Sequence, residues 1–340
     1  GDLKLATFDG KSWRKVTVDG AGGSGGRTTH NLTGAISMCV NGSGVKQTLH
    51  IFYTDSTDKD LRYATFNGNS FTFEIVDGNG SSVNNYEDPI RVRSSSDVSV
   101  SNACVASAGG VQVFYRDETQ GVLLGAVKTR GNAWRYELID GDRKTDNRTT
   151  GDVGFHLQAI FDGSTTYVAY DSVVSINQKK EITSGAIRIA TRKNFEPNSW
   201  EYRTLDISTD DALIFGFDVA LARTTSGVFA TWLAASAASA PKPNQIRWSL
   251  LNDSSKIYKV TTENFGRPDK YLATDGRTII FNCQERLCAL DTSKKDLGQS
   301  AIRLVSSTQG SEPTQSAWVT VNKVKYVLAT INGKLALLKP

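Results

Sequence analysis

The stretch "LKLATFDGKSWRKVTVDG" at residues 3–20 decides how this chain is read, because near-copies of it return along the sequence. They are "LRYATFNGNSFTFEIVDG" at 61–78, "VLLGAVKTRGNAWRYELIDG" at 122–141, "IRIATRKNFEPNSWEYRTLD" at 187–206 and, worn down, "IRWSLLNDSSKIYKVT" at 246–261. Each copy alternates apolar and polar residues, turns through Gly, Asn, Asp or Pro, and alternates again from an aromatic, which is the pattern of a β-hairpin. Gly10, Gly68 and Gly131 stand three residues before Trp13, Phe71 and Trp134. The turn there needs a positive φ, which glycine reaches without steric cost. Pro197 takes that place before Trp200, so its turn differs.

A second pair of alternating segments precedes each hairpin, giving four strands, A to D, per unit. Examples are "AISMCVNGSGVKQTLHIFYTD" before residue 61 and "NACVASAGGVQVFYRD" before residue 122. Self-similarity with this period and four strands per unit predicts propeller blades. The expected fold is all-β: a six-bladed β-propeller forming a single domain over 1–340. Its blades span approximately 36–78, 97–142, 154–206, 216–266, 270–307, and 314–340 joined by 1–20. The last of these would be closed by N- and C-terminal strands sharing one blade.

Composition agrees. The chain has 340 residues, 30 of them glycine, and no apolar pattern at helical spacing lasts beyond two turns. Formal net charge is +4, from 39 basic and 35 acidic residues, and no basic run exceeds two. That balance argues against a nucleic-acid partner. No 18-residue apolar span occurs, so membrane insertion is not expected. The chain opens at Gly1 and its only methionine is Met38, which reads as a trimmed or mature segment. Oligomeric state is not legible.

In a propeller the B to C turns and D to A connections share one face. The B strands end in "FYTD" (Tyr53), "FYRD" (Tyr115), "AYD" (Tyr170) and "ATWL" (Trp232), and the D to A connections carry Arg27, His30, Arg93, Arg148, Asp152 and Arg267. An aromatic plane covers the apolar face of a sugar, and a guanidinium fork takes an anion or hydroxyls in bidentate fashion. These ten residues are the candidate ligand-binding set, with arginine–aspartate bracing between loops as the alternative. Two B to C connections, 171–185 and 233–245, read as long loops pointing to the same face.

Other motifs carry less. "GAGGSGG" at 20–26 lacks the Lys-Ser or Lys-Thr of a phosphate loop. Asp55, Asp58 and Asp60 could offer oxygens to calcium, but the spacing is that of a solvated turn. His30, His50 and His156 have no zinc spacing, so no metal and no cofactor is expected. No catalytic residue can be assigned. Cys283 and Cys288 flank a B to C turn at disulfide distance, and Cys39 and Cys104 occupy matching places in neighbouring A strands; buried free thiols are the alternative. Disulfides would imply a secreted or cell-surface home.

"ATFDGKSW" resembles the repeats of bacterial extracellular propellers related to the Asp-box group, which includes the sialidases: Gly10 and Trp13 keep the interval of that box, whereas Asp9 is shifted by one place. A sialidase-like glycoside hydrolase would imply three arginines gripping a carboxylate, for which Arg27, Arg148 and Arg267 are available, and a Tyr–Glu pair, which cannot be assigned. The six-bladed fucose-binding lectins are similar in blade count and in their use of Arg, Glu and aromatics at sites between blades. The first functional expectation is therefore a lectin-like propeller that recognises a glycan or other surface ligand. The alternatives are the sialidase-like hydrolase and a protein-interaction module of a larger surface assembly.

Overall fold

The structure is a computed structural model describing residues 1–42, 47–78, 96–129, 131–142, 147–196, 199–208, 213–236, 244–253, 255–262, 272–283, 286–293, 301–305, 314–331 and 334–340. Among these residues there is no α-helix, only strands, turns and short 3-10 stretches such as Leu251–Asp253. The fold is a six-bladed β-propeller of antiparallel blades.

A hairpin of β1 (Leu3–Phe8) and β2 (Trp13–Asp19) opens the chain and forms, among the described residues, a two-stranded sheet. Blade I contains β3 (Ile36–Asn41), β4 (Thr48–Asp55), β5 (Asp60–Phe66) and β6 (Phe71–Asp77). Blade II contains β7 (Asn102–Ser107), β8 (Gly110–Asp117), β9 (Val122–Thr129) and β10 (Arg135–Asp140). Blade III contains β11 (Val153–Phe161), β12 (Thr165–Ile176), β13 (Ile182–Lys193) and β14 (Glu201–Ile207). Blade IV contains β15 (Leu213–Thr224), β16 (Gly227–Ser236), β17 (Asn244–Leu250) and β18 (Tyr258–Thr262). Blade V contains β19 (Ala273–Thr274), β20 (Thr278–Asn282), β21 (Leu287–Asp291) and β22 (Ile302–Leu304). The last sheet has three strands, β23 (Thr314–Val321), β24 (Val324–Ile331) and β25 (Lys334–Leu338). In blades I to V the strand order follows the chain, each strand pairing with the next. The two segments expected to share a blade, 1–20 and 314–340, form a two-stranded and a three-stranded antiparallel sheet among the described residues.

The residues fall into two compact units, 1–168 with 190–203, and 169–189 with 204–340. In the first unit, innermost strand β7 packs on β3 and on β11. A core of Phe52, Tyr63, Val76, Val113, Tyr115, Trp134 and Tyr136 fills the space between blades I and II. In the second unit β19 packs on β15 and β23, and Phe229, Ile246 and Trp248 meet Ile279, Phe281 and Leu290 between blades IV and V. Apolar burial between sheets is the main stabilising term in such an arrangement, because each sheet has two faces to cover.

The repeated phrase explains the C to D turns. Gly10, Gly68 and Gly131 have φ of 99°, 96° and 82°. The Asp9 carboxylate accepts the amides of Lys11 and Ser12 at 2.8 and 2.7 Å, and the Asn67 carbonyl oxygen accepts those of Asn69 and Ser70, both at 3.0 Å. Asp and Asn make the turn because a short side-chain acceptor reproduces a backbone turn. The closing Asp of each phrase has a different role. Asp19 Oδ1 takes the amides of Gly20 and Thr28, while Oδ2 accepts the Tyr53 hydroxyl at 2.6 Å. Asp77 accepts the Tyr115 hydroxyl at 2.5 Å, and Asp206 accepts the Trp232 indole N–H at 2.9 Å. An Asp at the end of one D strand is therefore clasped by the aromatic at the end of the next B strand, and this ties neighbouring sheets at one rim.

Both expected disulfides are present. Cys39–Cys104 staples β3 to β7, with Cα atoms 5.9 Å apart, and Cys283–Cys288 closes the β20–β21 turn. The expected loop at 171–185 is mostly strand: β12 and β13 continue to Ile176 and from Ile182, leaving a turn at 177–181. The reason lies in its residues, since Ser175 and Thr183 hydroxyls bond across the hairpin at 2.8 Å and the Asn177 side chain accepts the amides of Lys179 and Glu181. At 233–245 the strands likewise run to Ser236 and from Asn244, and residues 237–243 lie outside the described set.

Candidate ligand-binding site

The expected aromatic set is placed in the walls. Tyr53 is 1% exposed, and Tyr115, Tyr170 and Trp232 are 0% exposed. For Tyr53, Tyr115 and Trp232 the polar tip is spent on the clasps above, so no ring of the four can cover a sugar. That corrects the reading of these residues as ligand contacts: a repeated aromatic at a strand end beside a carboxylate is the mark of bracing between sheets. Burial together with the Asp19 bond pushes the Tyr53 hydroxyl far above its ordinary pKa, which suits a permanent donor.

The charged members of the set are dispersed. Arg27 is exposed, with its guanidinium 6.0 Å from the Phe73 ring. Arg148 is held by Asp142 at 3.1 Å and by the Tyr202 hydroxyl at 3.1 Å. Asp152 pairs at 2.9 Å with Arg116, a buried guanidinium stacked 3.7 Å from the Phe155 ring centroid. Arg93 and Arg267 lie outside the described residues. Of the three arginines proposed to grip a carboxylate, Arg148 is thus already committed to a carboxylate of the chain itself.

His30 Nδ1 meets Asp55 Oδ2 at 2.7 Å and Asp58 Oδ2 at 3.4 Å. These three atoms lie within 4.8 Å of one another and are the group, among the described residues, that could hold a cation. The set differs from the Asp55, Asp58 and Asp60 triad considered for calcium, because the imidazole replaces the third carboxylate and favours a borderline metal over a hard one. Without an ion the same atoms are satisfied as an ion pair, since the Asp55 bond raises the His30 pKa.

At the other end of β4 the structure opens. A cavity of about 540 Å³ lies between blades I and II, lined by Asn41, Thr48, His50, Tyr63, Lys128 and Thr129, and by the A to B and C to D turns of blade II at Ala108, Gly110 and Gly131. This is the end of the strands opposite to the rim expected from the loops. Strand pairing sets the floor: Phe52 faces Tyr63 across β4 and β5, and Tyr63 faces Glu74 across β5 and β6. The Tyr63 ring stacks on Phe52 at 4.8 Å and meets Trp134 edge-on at 5.2 Å. From blade II, Lys128 Nζ reaches both Glu74 carboxylate oxygens at 2.5 Å, and the Trp134 indole donates to Glu74 at 3.0 Å. The Lys128 and Glu74 side chains remain 25% and 39% exposed, and Lys128 is the member of the pair that lines the cavity.

His50 is 8% exposed; its Nδ1 lies 2.6 Å from the Tyr63 hydroxyl, and its Nε2 has no hydrogen-bond partner. A buried polar atom left unmatched is unusual and costs about 1–3 kcal/mol. Burial lowers the His50 pKa, so the ring is neutral, while burial and the Glu74 charge push the Tyr63 hydroxyl far above its ordinary range. The cavity therefore offers a cation paired with Glu74, a neutral imidazole, a protonated phenol and several hydroxyl and amide groups. Such a set makes directional hydrogen bonds without a large net charge. None of its members belonged to the set chosen from the sequence; the signal that could have found it is the Glu at one position of two successive D strands, Glu74 and Glu137, each followed by a cation, Lys128 or Arg192, late in the next C strand.

No known family model and no curated protein matches this sequence. Solved structures do. A six-bladed β-propeller lectin from Aleuria aurantia, a fungal protein whose description refers to fucose recognition, is 14% identical with a TM-score of 0.44, covering 90% of this chain and 95% of its own. A sialidase from Trypanosoma rangeli is 9% identical at 0.49, covering 98% of this chain and 56% of its own. A puromycin hydrolase is 12% identical with a TM-score of 0.50, over 90% of this chain and 47% of its own. At these identities the likeness concerns the fold alone.

Proposed function

We propose that this protein is a carbohydrate-binding propeller whose ligand seat is the cleft between blades I and II. The observation that carries the reading is the partly exposed Lys128, paired with Glu74, in a cavity lined by the polar side chains of Asn41, Thr48, His50, Tyr63 and Thr129. A pair of neighbouring sugar hydroxyls complements it: one donates to the Glu74 carboxylate, and the other accepts from the Lys128 ammonium. Asn41, Thr48 and Thr129 supply further donors and acceptors, and the cavity size is within the range of small-molecule sites, about 300–1,000 Å³. The two disulfides support an oxidising, extracellular setting.

Binding is favoured over hydrolysis by the state of Tyr63. It is the tyrosine paired with a glutamate in the cleft, as the sialidase-like alternative requires, yet its hydroxyl is bonded to His50 and its pKa is raised. An activated nucleophile needs the opposite shift. The deciding experiment is a glycan array with the intact protein, repeated with Glu74→Gln. Selective retention lost in the variant supports the reading. Silence on the array, with capture of a protein ligand instead, would move the assignment to an interaction module, and release of a fluorogenic sialoside would move it to the hydrolase.

A further inference from the structure

Four positions of the cleft recur one blade further on. His50, Glu74, Lys128 and Trp134 correspond in the repeat to Gln112, Glu137, Arg192 and Trp200. The II/III junction uses the same connections: Arg192 bonds Glu137 at 2.5 Å, as Lys128 bonds Glu74. There, however, a further bond closes the space. The second arm of the Arg192 fork donates to Gln112 Oε1, from the residue that takes the place of His50 in the repeat, and the guanidinium lies 4.4 Å from the Trp200 ring. Gln112 and Arg192 are buried, as are Glu137 and Trp200.

What makes room for that guanidinium is a fifth position. Tyr63, whose ring lies against Trp134, corresponds to Gly125, where an added Cβ would already come within 3.3 Å of Glu137 Oε1 and 3.0 Å of Ile139 Cδ1. With no side chain at 125, the arginine turns inward and bridges Glu137 and Gln112. With Tyr63 occupying the floor, and a lysine whose single ammonium can reach only Glu74, the I/II junction stays open.

We infer that the residue pair at 63 and 128, against 125 and 192, decides which junction of this unit is open, and that the II/III junction is a latent second copy of the ligand seat. The inference rests on the glycan reading of the I/II cleft. Its test is a graft of Gln112→His, Gly125→Tyr and Arg192→Lys, titrated by calorimetry with the methyl glycoside of whichever neutral monosaccharide the unmodified protein retains best. The expected result is one additional ligand bound per chain, with the original site unchanged. An unchanged stoichiometry in a graft that still melts cooperatively overturns the inference while leaving the glycan reading standing. Should the graft fail to fold, Tyr63→Gly with Lys128→Arg decides: an arginine free to turn inward between Glu74 and His50 is expected to weaken binding at least tenfold beyond Tyr63→Gly alone, about 1.4 kcal/mol, and no further loss overturns the inference. If the unmodified protein retains none of the sugars, the reading and the inference fall together.

Discussion

The I/II and II/III junctions are built on one plan and end in opposite states. Both join a D-strand glutamate to a C-strand cation beneath a tryptophan, Glu74–Lys128 under Trp134 and Glu137–Arg192 under Trp200. In the second the cation is fully buried and its fork is shared between two partners; in the first it is partly solvated and lines the cavity. Such a comparison separates bracing from recognition more sharply than residue type does. A guanidinium buried between two acceptors holds the structure together, whereas a partly solvated ammonium beside open volume is available to a ligand.

The largest expected effect breaks the closed junction. Glu137→Gln leaves the buried Arg192 charge without its counter-ion and is expected to cost about 3–5 kcal/mol in urea unfolding. Glu74→Gln removes a half-exposed partner and is expected to cost no more than about 1 kcal/mol, so its loss of ligand binding can be read without a folding correction. Equal costs for the two would show that the junctions do not differ as described.

The disulfides come next. Cys39–Cys104 links strands at the open junction across 65 residues, against 5 for Cys283–Cys288. Chain-entropy reasoning gives about 4 kcal/mol for the first and about 2 kcal/mol for the second on replacement of each pair by serine. Denaturation midpoints of the two variants check the order, and a reversed order would mean that the I/II junction does not depend on its staple.

A smaller effect tests the rim clasps. Tyr115→Phe removes the donor to Asp77, with an expected cost of about 1–3 kcal/mol and no change in ligand binding, because that rim lies at the far end of the strands. A loss of binding without a loss of stability would return the site to the rim first read from the sequence.

The smallest effect is with pH, and it has opposite signs at the two ends of β4. The His30 pKa is raised by its bond to Asp55, so the loop-to-turn contact it makes is fully present below the unfolded-state value of about 6.5 and is lost as pH rises through the higher folded value. The His50 pKa is lowered by burial, so the unfolded chain takes up the proton first and stability falls as pH drops below about 6.5. Imidazole titration followed by NMR should show His30 above, and His50 below, the value of an exposed histidine. Matching titrations would remove the argument that His50 enters the cleft as a neutral ring.

Much of the fold was readable in one dimension. Period-2 alternation, glycines at the C to D turns and the Asp that closes four of the D strands, Asp19, Asp77, Asp140 and Asp206, are local properties, and the hairpins and the blade spacing follow from them. The disulfides were legible as candidates, because Cys283 and Cys288 flank a tight turn and Cys39 and Cys104 occupy matching places in A strands that pack on each other. Exposure was not. Tyr53, Tyr115 and Trp232 look like ligand platforms in sequence, and only the approach of the preceding D strand turns them into donors to Asp19, Asp77 and Asp206.

The amino-acid sequence alone therefore determined the repeat, the all-β architecture and the turn chemistry, since each depends on neighbours a few residues apart. Which junction is sealed and which is open was decided by tertiary structure. That outcome depends on whether a cation from one sheet fits the space left by a side chain, tyrosine or glycine, on the strand it approaches. Volume in the gap between two sheets is a property of the pair, and no single strand carries it.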